Sequence, residues 1–128
     1  MQWTPIICLV AIAEYLFFAV RVGTKRGPLG VAVPATTGNE EWECLFRVQQ
    51  NTMEQMVAFL PAAFAFAWFI SDPAGAALGG VWVLGRAIYF VGYTGGDPGK
   101  RAPGAIMTMG STTILLIGSL YGAVRAML

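Results

Sequence analysis

Four long apolar runs alternate with short stretches rich in glycine, proline and charge, and each run approaches the roughly 20 residues that a helix needs to cross a bilayer. The first extends from about Trp3 to Val22. The stretch Gly23 to Gly38 (GTKRGPLGVAVPATTG) predicts a break and the longest loop. Asn39 is placed to cap a second helix that reaches about Ile70. Its N-terminal third, Glu40 to Gln50, is too polar for hydrocarbon. At about 1.5 Å per residue this helix is about 48 Å long, against a hydrocarbon core of about 30 Å, so its polar end projects into water or a headgroup-level cavity. Pro61 lacks a backbone donor and predicts a bend. Ser71-Asp72-Pro73 reads as a tight turn, with Ser71 or Asp72 as N-cap of a third span that ends near Tyr93. Thr94 to Arg101 (TGGDPGKR) is a second turn, and a fourth span runs from about Gly104 to Met127. The expected fold is an all-α integral membrane four-helix bundle. Its spans fall at about 3–22, 39–70, 74–93 and 104–127, within one domain covering 1–128.

Composition points to the same solvent. The 128 residues are 56% hydrophobic and 12% charged, where soluble domains carry about 25% charged residues. A net charge of +1 gives no basic surface for nucleic acid. There is no histidine, which removes imidazole base catalysis and the commonest metal ligand, and no metal site is expected. Cys8 and Cys44 have no redox or metal spacing and read as packing residues. Met1 to Thr4 lacks the basic start of a signal peptide, so the first apolar segment is expected to stay as a span. Arg21, Lys25, Arg26, Lys100 and Arg101 flank two loops on one side, while Arg125 lies alone on the other. The bias of basic residues places those loops in the cytoplasm and both termini outside it. Gly75-x-x-x-Gly79 and Gly118-x-x-x-Gly122 allow close helix approach, within one bundle or at an oligomer seam.

Ionisable groups inside spans are costly and normally face an interior, a cavity or a partner. Arg47, Asn51 and Glu54 are spaced i, i+4, i+7 and share one face of the second helix. Arg86, Tyr89 and Tyr93 are spaced i, i+3, i+7 on the third, ending beside Lys100 and Arg101. Both stripes converge on one membrane face, where they offer cations, a carboxylate, an amide and two phenols. Glutathione suits that inventory: two carboxylates for Arg or Lys, an ammonium for Glu54, peptide groups for Asn51 and Gln49, and a thiol to ionise. Lowering a thiol pKa of about 8.5 by two units needs about 2.7 kcal/mol of preferential thiolate stabilisation, within reach of one guanidinium in a partly desolvated site. The same residues also have plainer readings. Arg47 and Glu54 can be an ion pair, Tyr89 and Tyr93 interfacial belt residues, and Lys25, Arg26, Lys100 and Arg101 topology determinants.

The run RVQQNTMEQMVAFLP (Arg47 to Pro61), followed by LGGVWVLGRAIYFVGYTGGDPGKR (Leu78 to Arg101), resembles the MAPEG family, the membrane-associated proteins of eicosanoid and glutathione metabolism. The resemblance covers most of the chain and implies a homotrimer of four-helix protomers with glutathione, a co-substrate, bound between neighbours near the cytoplasmic face. Arg47, Asn51, Glu54, Tyr89 and Tyr93 match the family's glutathione-contacting positions, with Gln49, Lys25 and Arg26 as further matches. The thiol-activating arginine falls at Lys100 by counting from Tyr93 and at Arg101 by residue type; Arg101 is preferred as the catalytic residue, with Lys100 as a glutathione contact. Gln55 departs from the tyrosine of the leukotriene-synthase branch, and the compact loops look like bacterial members, which implies a bacterial inner membrane. The resemblance thus implies a glutathione transferase, with glutathione peroxidase activity as an extension. Its second substrate would be a lipophilic electrophile or hydroperoxide that arrives through membrane lipid. Two rivals stand beside it: a non-enzymatic scaffold binding lipid or a partner in the same groove, and a small proton-coupled multidrug transporter built on Glu14.

Overall fold

The computed structural model describes residues 1–128 and contains four long helices: α1 (Trp3–Leu29), α2 (Glu40–Phe69), α3 (Asp72–Thr94) and α4 (Ala102–Met127). A short 3-10 turn, Pro98–Arg101, leads into α4. All four are long and apolar enough to cross a membrane. Successive helices run up and down, so the loop after α1 and the 3-10 turn share one end of the bundle, and both termini share the other.

α1 continues to Leu29, past the break expected after Val22. The glycine cost there is outweighed locally. Trp42 of α2 is fully buried and donates its indole N–H to the Val22 carbonyl at 2.9 Å, tying the extra turns to the neighbouring helix. The stop falls at Gly30, whose left-handed φ of 73° closes the end with bonds from Gly30 N to Gly27 O and from Val31 N to Arg26 O. Arg26 lies over the Trp42 ring at 4.4 Å and donates to the Ala35 carbonyl at 2.8 Å, pinning the following loop.

Asn39 caps α2 by accepting from Trp42 N at 3.0 Å, and three glutamates in the first turn (Glu40, Glu41, Glu43) complement the helix dipole. The helix runs on through Pro61. Ser71 caps α3, with Pro73 in its first turn. Asp72 instead serves a different helix, because its carboxylate accepts from the backbone N–H groups of Gln2, Trp3 and Thr4 at 2.8, 2.9 and 2.8 Å. It satisfies the free donors at the start of α1 and locks the two parallel helices α1 and α3 together.

The core joins all four helices around Ala11, Phe59, Ala63, Trp82 and Leu115, with the Phe59 and Trp82 rings stacked at 4.4 Å. Large apolar side chains such as Leu9, Val57, Leu84, Ile117 and Leu120 are exposed on the outside, as lipid contact requires. Lipid tails are as apolar as these side chains, so the helices associate through close packing rather than through exclusion of water. The small-residue pairs supply that packing inside the bundle. Gly79 receives Ile7, Gly118 receives Phe66, and Gly122 receives Phe69 and Ile70. Gly85 of α3 and Gly104 of α4 let those two backbones meet, which brings the start of α4 against Tyr89.

Candidate functional site

The polar stripes of α2 and α3 meet where α4 begins. Asn51, Gln55, Arg86, Tyr89, Arg101, Ala105, Thr108 and Met109 line a cavity of about 200 Å³. Two guanidiniums, two amides, a phenol and a hydroxyl converge there, and no carboxylate is in the wall. Two larger clefts, one of about 370 Å³ edged by Glu40, Glu41 and Cys44 and one of about 390 Å³ that is mostly apolar, lack converging cations. Of these three, the smaller cavity alone brings two guanidiniums together.

Arg86 is its innermost member. The side chain is fully buried, its Nη1 donates to Asn51 Oδ1 at 2.8 Å, and its guanidinium carbon lies 4.1 Å from the centre of the Tyr89 ring. Stacking of a guanidinium on a phenol face is favourable and fixes the plane of both. Tyr93 continues the arrangement, 5.5 Å from Tyr89, and Arg101 covers Tyr93 at 5.4 Å. The 3-10 turn aims Arg101. Asp97 accepts from Gly99 N at 3.0 Å, and Arg101 itself donates to the Pro98 carbonyl at 2.8 Å, leaving the rest of its exposed fork free. A Cβ at Gly92 would collide with the Lys100 carbonyl, so only glycine lets α3 pass under this turn.

The predicted residues therefore separate into groups. Asn51, Tyr89 and Arg101 line one cavity, with Tyr93 against its rim. Lys100 lines a different, shallow groove with Ala87, Ile88 and Val91, so within one chain Arg101 is the basic residue of this turn that lines the cavity. Arg47 and Glu54 are exposed on the outer side of α2 and neither is held by a hydrogen bond within the chain. Gln49 faces the other way, donating to the Tyr15 hydroxyl of α1 at 3.2 Å. Arg26 is engaged with Trp42 and Ala35, and Lys25 is half-buried on the same turn of α1. Arg86 is visible in the sequence as the start of the α3 stripe, and an arginine in mid-span is itself a functional signal. The α4 wall, Ala105, Thr108 and Met109, carries no ionisable group and gives no such signal.

The sequence profile of the MAPEG family matches residues 4–121. An uncharacterized protein of the cyanobacterium Synechocystis is 42% identical over 120 residues, covering 94% of this chain and 87% of its own. Human microsomal glutathione S-transferase 2 is 32% identical over 115 residues, 89% of this chain and 78% of its own. Bovine leukotriene C4 synthase is 30% identical over 97 residues, 76% of this chain and 65% of its own.

Proposed function

The chain belongs to the MAPEG family, and from that premise we propose that this multi-pass membrane protein is a glutathione transferase whose Arg101 stabilises the glutathione thiolate. The observation that carries the reading is the carboxylate-free cavity with Arg86 and Arg101 in its wall, on a chain similar to a microsomal glutathione S-transferase. A bound thiol gives its proton to water at the headgroup surface, and the sulfur anion forms beside a guanidinium that favours it. The thiolate then attacks an electrophilic carbon. A C–S bond forms, and the leaving group departs with its electron pair. With a lipid hydroperoxide the same thiolate attacks oxygen, the O–O bond breaks and an alcohol leaves. A second glutathione then reduces the sulfenic product to the disulfide and water.

The site is completed by a second protomer in this reading. The cavity of about 200 Å³ is below the roughly 300–1,000 Å³ of ligand pockets. At about 100° per residue, Gln49 lies nearly opposite Arg47, Asn51 and Glu54 on α2, so one copy cannot turn all four toward one ligand. A homotrimer brings Gln49, Arg26 and Lys25 of one copy toward Arg47, Asn51 and Glu54 of the next, with Lys100 at the seam. Glutathione lies between them, its carboxylates on the basic groups and its ammonium on Glu54. The exposed apolar flanks are open to membrane lipid, which delivers the lipophilic second substrate. The similar Synechocystis protein favours a bacterial inner membrane; in this reading the site lies at the cytoplasmic face with both termini across the membrane, an orientation that the bias of basic residues toward the loop end supports. The transporter reading is the weaker one, because the polar stripe of Arg47, Asn51 and Glu54 on α2 has no role in it.

Turnover of glutathione with a lipophilic aryl halide in detergent tests the proposal. Arg101→Ala is expected to lower kcat/KM at neutral pH about 25-fold, the loss of thiolate when a thiol pKa two units below about 8.5 returns to that value. Unchanged turnover in that variant, with the fold intact, would remove Arg101 from the mechanism, and a protein that binds glutathione without turning it over would fit a non-enzymatic scaffold.

A further inference from the structure

Glu14 is an acid in the middle of the first span, and the register of α1 against α3 assigns it a neighbour. The two helices run parallel, joined at their starts by Asp72. Ile7 fills the hollow at Gly79, and Phe18 stacks on Phe90 at 5.0 Å. These two rungs share one offset between the helices, and the same offset sets Glu14 across from Arg86. Glu14 Oε1 is buried with no hydrogen-bond partner, and so are Nε and Nη2 of Arg86. Arg86 spends only Nη1, on Asn51. A fully buried guanidinium in a membrane requires a counter-charge, and no carboxylate lines the cavity in front of it.

We propose that Glu14 is a positioning residue for the glutathione site: from behind Arg86 it balances the buried guanidinium, holds it toward Asn51, and opposes its field at the cavity. The inference rests on the glutathione reading above. Arg86 and Arg101 both favour a thiolate in the cavity, and Glu14 subtracts from the first of them, setting the pH at which the bound thiol ionises. The other groups around Arg86 are Trp82 and Tyr89 of α3 with Tyr93 one turn on, uncharged Asn51 and Gln55 of α2, Thr108 and Met109 of α4, and the cation Arg101 across the cavity. Glu14 is therefore the single acid acting on Arg86 from these faces. At about 10–15 Å and an effective dielectric constant of about 20, one charge moves a thiol midpoint by about one pH unit.

The test is a pH titration of thiolate absorbance for glutathione bound to the full chain in detergent. Glu14→Gln is expected to lower the midpoint by about one pH unit, and Arg86→Gln to raise it. Should Glu14→Gln alone fail to fold, Glu14→Asp, which keeps the charge but draws it back from Arg86 by one methylene, is expected to lower the midpoint by a smaller step. A midpoint that ignores the Glu14 variant that folds, while the parent chain ionises glutathione normally, overturns the inference alone. A parent chain that gives no thiolate signal overturns the glutathione reading and this inference with it.

Discussion

Asn51 connects the buried and open parts of the cavity, because its Oδ1 takes one Arg86 donor while its side chain lines the space a ligand would enter. Asn51→Ala leaves that donor unpaired in a dry interior, and the expected cost is about 1–3 kcal/mol of stability together with about tenfold or greater loss of glutathione affinity. Thermal unfolding in detergent and calorimetric titration read the two effects; an unchanged dissociation constant would place glutathione outside this cavity. Asn51 and Tyr89 can be found from spacing because polar groups in an apolar helix stand out, whereas Arg101 comes from the family resemblance by residue type, since counting from Tyr93 lands on Lys100. The orientation of Gln49 is also written in the sequence, since it is out of phase with Arg47, Asn51 and Glu54. What spacing cannot show is that Arg26 is spent on the Trp42 ring and the Ala35 carbonyl, a contact made across a loop.

The helices explain where sequence reading succeeds and where it stops. Caps at Asn39 and Ser71 are legible because their bonds are local, three residues long. The end of α1 lies beyond the predicted break because the bond that extends it, from Trp42 to Val22, is tertiary. The role of Asp72 at the start of α1 is hidden for the same reason. In the proposed mechanism the 3-10 turn matters most, since it fixes Arg101 and rests on Gly92. A methyl group there must push the Lys100 carbonyl aside. Gly92→Ala is expected to lower kcat/KM by about tenfold or more through displacement of Arg101 while the helix content by circular dichroism stays near that of the parent. Full activity in this variant would show that the position of the turn is not critical.

At the scale of the molecule, one bundle of four spanning helices carries a cavity with two guanidiniums in its wall at the end where the basic loops gather. The fold class is legible from hydropathy alone, because a bilayer permits few architectures. The number of copies in the assembly is not, because the outward Arg47, Glu54 and apolar flanks look alike whether they meet lipid or another subunit. Ionisation of the glutathione thiol by this chain is the step on which its proposed chemistry depends. The most direct measurement of it is the ultraviolet thiolate absorbance of glutathione titrated into the purified protein at neutral pH, with Arg101→Ala alongside. A saturable thiolate signal that is lost in Arg101→Ala is the predicted result. Saturable glutathione binding with no thiolate in the parent protein would contradict it.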